Sequence, residues 1–389
     1  MDRVKILFIH NTALGYRRPL FKELSRIYDV RYVFKHMDIP KIIYNIDNIE
    51  MIRDLDGLNY RLCKNYCNWI KPYGIAFSIV YDLFGDYDVL IDGNWDCPAE
   101  LFETIICFAI AKIRKKPFII YYEEWNWGNK HLYRRMIMPL IKYLVRRSAA
   151  VITPGSKSWE FFRDLGVDER NLFIAVNAVE IASLPESQSK LINVINKNDL
   201  HGKKIILYVG RLIDLKNVDV LITAFYKLKQ ELSDCCLIIV GDGEKKLEYS
   251  KLCEDLGLLG EVFFTGWIKE YSHELSYYYK IANVLVLPSK REVWGFVLNE
   301  AMHFGKPVIA TYGVGAAYDL IENGINGYII PPNDVHELYS ALKKILENCD
   351  LERSMGERSR QIIQDRFNCP KMIEGFKRAI DHVTDSQIR

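Results

Sequence analysis

The chain has 389 residues, 49% of them hydrophobic and 26% charged, with a net charge of +2. That length supports two or three domains with full cores, and the composition is that of a globular protein, not a disordered or fibrous one. The near-neutral balance argues against nucleic acid as a partner, and no apolar run approaches the ~20 residues of a membrane span.

The run Val4–Ile9 reads as a strand, its apolar core being too short for a signal peptide. A loop, HNTALGYRRP, follows with Gly15, Tyr16, Arg17 and Arg18, then a helix over Leu20–Ile27 and a strand over Val30–Phe34. Such a βα unit presents its loop at the carboxyl edge of a sheet. Residues 36–75 are polar and show no organised pattern. Cys63-x3-Cys67 has no second Cys/His pair to complete a zinc site, and nine irregularly spaced cysteines suit free thiols in a reducing cytosol.

Further strands read at Val89–Ile91, Pro117–Tyr122, Ala149–Ile152 and Leu172–Val176, with helices at Pro98–Ile113, Tyr133–Arg147 and Ser156–Leu165 between them. Residues 182–200 lack a period and form a linker. A second alternation has strands at Lys204–Val209, Leu237–Val240, Val262–Thr265, Val284–Leu287, Pro307–Ala310 and Gly327–Ile330, again with intervening helices. The expected fold is α/β: two Rossmann-like open parallel-sheet domains, residues 1–181 and 201–365, facing each other across a cleft.

Five stretches carry chemistry. Pro288–Glu300 reads PSKREVWGFVLNE, between a buried strand and a helix. Glu292 sits just past a strand's carboxyl end and Glu300 in the first turns of the helix. The N–H groups of Phe296, Val297 and Leu298 are helix-start donors suited to a phosphate. Read alone, the carboxylates equally fit a helix-start Glu and a solvated helical Glu. Gly210-Arg211 through Lys216 leaves another strand, so a guanidinium and an ammonium on one loop can clamp a diphosphate, or else be a solvated helix start. Gly241-Asp-Gly243 allows a sharp turn from strand to helix, and Gly313-Val-Gly315 lines a pocket or lends a loop flexibility. Glu123-Glu124-Trp125-Asn-Trp127 closes a strand; it reads as a sugar-facing site or as a surface turn with packed tryptophans.

Residues 112–147 hold ten Lys and Arg against two Asp and Glu. They make either a core-packed helix with a solvated basic face or a surface for anionic lipid, and Pro139 implies a kink or break. Asp86-Tyr-Asp88 precedes a strand instead of following one, so it reads as a turn, and no metal is expected.

EVWGFVLNEAMHFGKPVIAT resembles the E-x7-E signature of the retaining, nucleotide-sugar-dependent glycosyltransferases of family four (glycosyl transferases group 1), which have the GT-B fold. Gly210–Lys216 resembles the family's G-R-x4-K motif, Gly241–Gly243 its GDG turn, and Gly266-Trp267 a position where backbone meets the nucleotide base. The match runs in order from Gly210 to Pro332 and is looser before that. It implies transfer of a hexose-type sugar from a nucleoside-diphosphate sugar to a glycan or lipid-linked acceptor, with retained anomeric configuration and no cofactor or metal. Residues 1–181 would bind the acceptor and 201–365 the donor, and 366–389 would form a helix crossing back to the first domain.

Carried over, Glu292 lies by the donor sugar, Glu300 binds the ribose, Arg211 and Lys216 hold the diphosphate, and Trp267 meets the base. Gly15 lets the first loop approach the donor phosphate, while Arg17 and Arg18 face an anionic acceptor or solvent. No side-chain nucleophile is evident, which fits a same-side displacement. The chain departs from the family where many members carry a histidine; Glu123 is expected to stand there and accept the acceptor hydroxyl's proton. A cytoplasmic protein is expected, and the lipid-surface reading of residues 112–147 would place it peripherally at the inner face of the membrane. Two rivals remain: a sugar-nucleotide epimerase or hydrolase on the same fold, and a non-catalytic carbohydrate- or lipid-binding scaffold.

Overall fold

The structure is a computed structural model. It describes residues 3–12, 17–36, 55–65, 74–126, 132–181, 200, 202–269 and 272–388. Gly15, Tyr16, Cys67, Trp127 and all of the linker but Leu200 lie outside them. The chain divides into one unit of Met1–Ala178 with Cys369–Arg389 and a second of Val179–Asn368.

The first unit is built on β1 (Lys5–His10), β2 (Asp29–Phe34), β3 (Tyr60–Leu62), β4 (Val89–Asp92), β5 (Phe118–Tyr121), β6 (Ala150–Thr153) and β7 (Leu172–Ile174). All pair in parallel, in the order β3-β2-β1-β4-β5-β6-β7. Helices cover both faces, so central strands such as β4 and β5 are buried along their whole length. Alternate residues of β1 serve opposite cores: Ile6 and Phe8 join one, Leu7 and Ile9 the other. The helix Cys369–Ile388 closes the first of these cores. Its Phe376 ring lies 4.9 Å from Tyr121 and 6.1 Å from Phe8. Gly375 permits this approach, because a Cβ there would stand 2.3 Å from the carbonyl oxygen of Ile174.

The second unit carries β8 (Lys204–Val209), β9 (Cys235–Val240), β10 (Val262–Gly266), β11 (Val284–Leu287), β12 (Val308–Thr311) and β13 (Gly327–Ile330). These too are parallel, in the order β10-β9-β8-β11-β12-β13. Ile206, Tyr208, Leu237, Ile239, Val284 and Val286 pack in one core with the helices Val218–Lys229 and Val335–Leu346.

Two local expectations change and one holds. The polar stretch 36–75 contains β3, three partly buried residues too few to show a period. The helix Leu132–Arg147 runs unbroken through Pro139, which lies on its exposed side, where water can satisfy the carbonyl that proline leaves unpaired. Asp86-Tyr-Asp88 is a turn fastened to the start of β1: Lys5 donates its N–H to Asp88 at 3.0 Å and its ammonium to Asp86 at 2.6 Å.

Candidate functional site

In the second sheet the chain leaves β8 in one direction and β11 in the other, so the topological switch point lies between these neighbours. The crevice outside the carboxyl ends of such a pair is where open α/β sheets bind ligands. The loops leaving β8 and β11 carry Arg211, Lys216 and Glu292.

Lys216 ends a single 3-10 turn, and its Nζ donates to Glu292 Oε2. The two side chains are 13% and 22% exposed. One side-chain bond and one backbone bond hold the two loops together. Asn217, in the left-handed conformation, donates from Nδ2 to the Pro288 carbonyl at 3.2 Å, and the Lys290 N–H reaches Leu215 O at 2.9 Å. Burial, followed by the neighbouring Arg211 guanidinium, pulls the Lys216 ammonium down to about 8. The Glu292 carboxylate acts the other way and favours the charged amine.

Glu292 is itself fixed by its backbone, which donates to Gly313 O at 2.8 Å and accepts from the Gly315 N–H at 3.1 Å. A Cβ at Gly313 would stand 2.3 Å from Lys290 O, so that glycine serves close approach and not loop flexibility. The Gly241–Gly243 turn works similarly. A Cβ at Gly241 would lie 1.9 Å from Gly210 O, and one at Gly243 2.5 Å from Leu212 O. The turn therefore presses backbone against backbone on the loop that carries Arg211, sealed by Leu212 N–H to Asp242 O at 2.9 Å. Gly241 also donates to Gly266 O at 2.8 Å, which brings the Trp267 loop alongside. Trp267 is 52% exposed, so core packing does not account for its ring.

Gly295, at φ 105°, opens the helix Phe296–His303. Phe296 and Val297 are its first residues, where N–H groups lack an intrahelical acceptor. Leu298 departs from expectation: its N–H closes a tight turn onto Gly295 O at 3.0 Å and its side chain is fully buried. Glu300 is not a solvated helical carboxylate. It is 6% exposed and accepts a hydrogen bond at Oε2 from the Tyr279 hydroxyl, a partner that sequence reasoning did not find.

In the first unit Glu123 follows β5 and is held by two donors on one oxygen. Arg17 Nη2 lies 2.6 Å and Asn177 Nδ2 3.2 Å from Oε1. Arg17 also donates to the Tyr121 hydroxyl. Arg17 thus faces inward at 7% exposure, not toward solvent or an acceptor, because a carboxylate and a phenol oxygen there satisfy its charge. Glu124 is structural: it is buried, accepts from Trp95 Nε1 at 2.8 Å and pairs with Arg134 at 3.4 Å. Trp125 is buried in the core, so it offers no open face to a pyranose ring.

The first sheet reverses direction between β1 and β4, and its switch point holds groups that motif reading passed over. Glu100 spans the two loops, accepting from Asn11 Nδ2 at 2.7 Å and from the Asp96 N–H at 2.8 Å. Burial, with Asp96 next, pushes Glu100 up to about 7. Nearby, Lys35 contacts Asp92 at 3.0 Å and Glu103 at 3.4 Å, and His36 Nε2 lies 3.1 Å from Glu103, all fully buried. Burial alone would lower Lys35, but the two carboxylates hold it well above the usual lysine range. The one available signal was the charge ending each apolar strand, at Phe34-Lys35-His36 and Ile91-Asp92.

Residues 192–362 match the family model described as glycosyl transferases group 1. The chain is similar to an alpha-D-kanosaminyltransferase of Streptomyces kanamyceticus, 27% identical over 64% of this chain and 66% of that one. It is also similar to an uncharacterized glycosyltransferase of Haemophilus influenzae, 26% identical over 90% of each. Among solved structures, HepE of Anabaena in complex with UDP superposes with a TM-score of 0.78 at 18% identity, covering 97% of this chain and 100% of that one. Two all-parallel sheets of seven and six strands in this arrangement are the GT-B glycosyltransferase fold. Residues 192–362 thus resemble the group 1 glycosyl transferases, and the fold of the whole chain agrees with that likeness.

Proposed function

We propose that the chain transfers a hexose-type sugar from a nucleoside-diphosphate sugar to a glycan or lipid-linked acceptor, with retention of anomeric configuration. The observation that carries this reading is the meeting of Lys216 and Glu292, beside Arg211, at the switch point of the second sheet. As the glycosidic bond breaks, negative charge builds on the departing diphosphate. Lys216, Arg211 and the opening N–H groups of the helix Phe296–His303 stabilise that charge where it develops. Glu292 faces the sugar, Glu300 takes the ribose and the exposed Trp267 meets the base. The similar Anabaena structure is a complex with UDP, the nucleotide a UDP-sugar leaves behind, and that supports a nucleotide-sugar donor here.

The first unit takes the acceptor. Glu123, oriented by Arg17 and Asn177, receives the proton of the attacking hydroxyl; transfer at the wild-type rate in Glu123→Gln would remove that role. No bound metal enters this scheme, the cations being Lys216 and Arg211. The test is thermal stabilisation by a panel of nucleoside diphosphates and their sugars, repeated on Arg211→Ala. Stabilisation by one base, lost in the variant, supports the donor site; no shift with any nucleotide favours a binding scaffold instead. Donor hydrolysis without acceptor would favour the epimerase or hydrolase reading.

A membrane-facing role for residues 112–147 rests on one observation. On the helix Leu132–Arg147, Leu132, Met136, Leu140 and Tyr143 are exposed together with Arg135, Lys142, Arg146 and Arg147. An apolar stripe flanked by basic residues suits the inner, anionic face of a cytoplasmic membrane. Among the described residues no helix is long and apolar enough to cross a membrane, so the contact would be peripheral. Co-sedimentation with phosphatidylglycerol vesicles, weakened by Met136→Glu, is the expected result.

A further inference from the structure

Glu300 is a carboxylate almost wholly removed from water, and such a group needs hydrogen-bond partners to stay in place. One comes from another helix. Tyr279 lies on His273–Ile281, twenty-one residues earlier, and its hydroxyl donates to Glu300 Oε2 in a buried setting. The Tyr279 ring is 2% exposed and stacks on Phe304 at 5.8 Å, with the planes 7° apart. Phe304 caps the helix that carries Glu300, so one helix end holds both the ring and the acid that the tyrosine touches. A ring clamped this way has little freedom at its hydroxyl, and a donor aimed at one oxygen fixes the carboxylate's rotation.

Resting on the donor-site reading above, we propose that Tyr279 is a positioning residue for nucleotide recognition, orienting Glu300 toward the vicinal hydroxyls of the ribose. A carboxylate offers about four acceptor positions, and Tyr279 uses one of them on Oε2. A cis-diol presents two donors at a fixed separation, so it is read well only by a carboxylate whose plane is set beforehand. Loss of the hydroxyl would leave Glu300 in place but remove one of the bonds that set the plane of its carboxylate. Tyr279→Phe would therefore weaken discrimination for the diol more than it weakens folding, because the ring and its stacking on Phe304 remain.

The experiment compares UDP with 2′,3′-dideoxy-UDP by calorimetry on wild type, Tyr279→Phe, Glu300→Gln and the double variant; ADP or GDP and their dideoxy forms replace these if either binds better. Melting temperatures serve as the folding control. Wild type should prefer the ribose form by roughly tenfold or more, the effect of one or two hydrogen bonds to a charged group. Each single variant should reduce that preference to about threefold or less, and the double variant should add no further loss, since the two residues act as one unit. Wild-type preference retained in Tyr279→Phe would overturn the positioning role while leaving the ribose site intact. Equal binding of ribose and dideoxy forms by the wild type would overturn the assignment of Glu300 itself. Failure of all three nucleotides to bind would overturn the donor site, and this proposal with it.

Discussion

Raising the pH should loosen the donor at a rate that Lys216 sets. Its ammonium, with a pKa of about 8, faces Arg211 and Glu292 across the switch point of the second sheet. Burial and Arg211 thus depress a lysine well below its usual 10.5, and a diphosphate placed there would restore the charged form. At pH 7 about nine-tenths of the empty molecules carry the charge, and at pH 9 about one-tenth do. If the complex holds the lysine charged throughout this range, Kd should rise ~10-fold from pH 7 to pH 9, or about 1.4 kcal/mol. The assay is calorimetry with a nucleoside-diphosphate sugar, whose diphosphate diester carries no proton to lose in this range. Lys216→Arg should flatten the profile, because a guanidinium does not titrate below pH 12. A wild-type Kd constant from pH 7 to 9, or an unchanged slope in Lys216→Arg, would refute the reasoning.

Gly241→Ala should destabilise the chain by at least about 3 kcal/mol in urea unfolding, since its Cβ would meet Gly210 O and its φ is 141°. Gly257→Ala, also at positive φ but with open space around it, should cost only about 1 kcal/mol; equal costs would show that contact is not the cause. Glu100 has its carboxyl raised in the folded state to about 7, so the stability it lends is full below about 4.5 and is lost as pH rises through 7. The advantage of Glu100→Gln should accordingly grow by up to about 3 kcal/mol between pH 5 and pH 8, measured by denaturant melts at each pH. Arg17→Met strands the Glu123 carboxylate, and the loss of a largely buried partner should cost about 3–5 kcal/mol. A loss below 1 kcal/mol would show that water replaces the guanidinium.

Much of the architecture was legible because parallel strands buried on both faces are continuous apolar runs. Lys204–Val209, Val284–Leu287 and Gly327–Ile330 stand where their composition puts them. The loops after β8 and β11 were legible too, since a polar turn between such a run and a helix marks a carboxyl edge. What composition could not show is which loops become neighbours. Lys216 and Glu292 are 76 residues apart, and Arg17 and Glu123 are 106 apart; only strand order brings them together. Arg17 and Glu124 misled for the same reason. A charged residue beside a glycine-bearing loop or a tryptophan suggests a surface, and here a distant partner lets it be buried. The 3.6-residue period could place Glu300 on a helix, but only the packing of a second helix shows that Tyr279 meets it.

The central claim is that the crevice between β8 and β11 holds a nucleoside-diphosphate sugar. A crystal structure of the wild type soaked with the best-stabilising nucleotide sugar tests it most directly. The diphosphate should lie within hydrogen-bond reach of Lys216 and Arg211, the sugar against Glu292 and the ribose against Glu300. A nucleotide bound elsewhere, with the Lys216–Glu292 pair undisturbed and no ligand beside it, would contradict the claim.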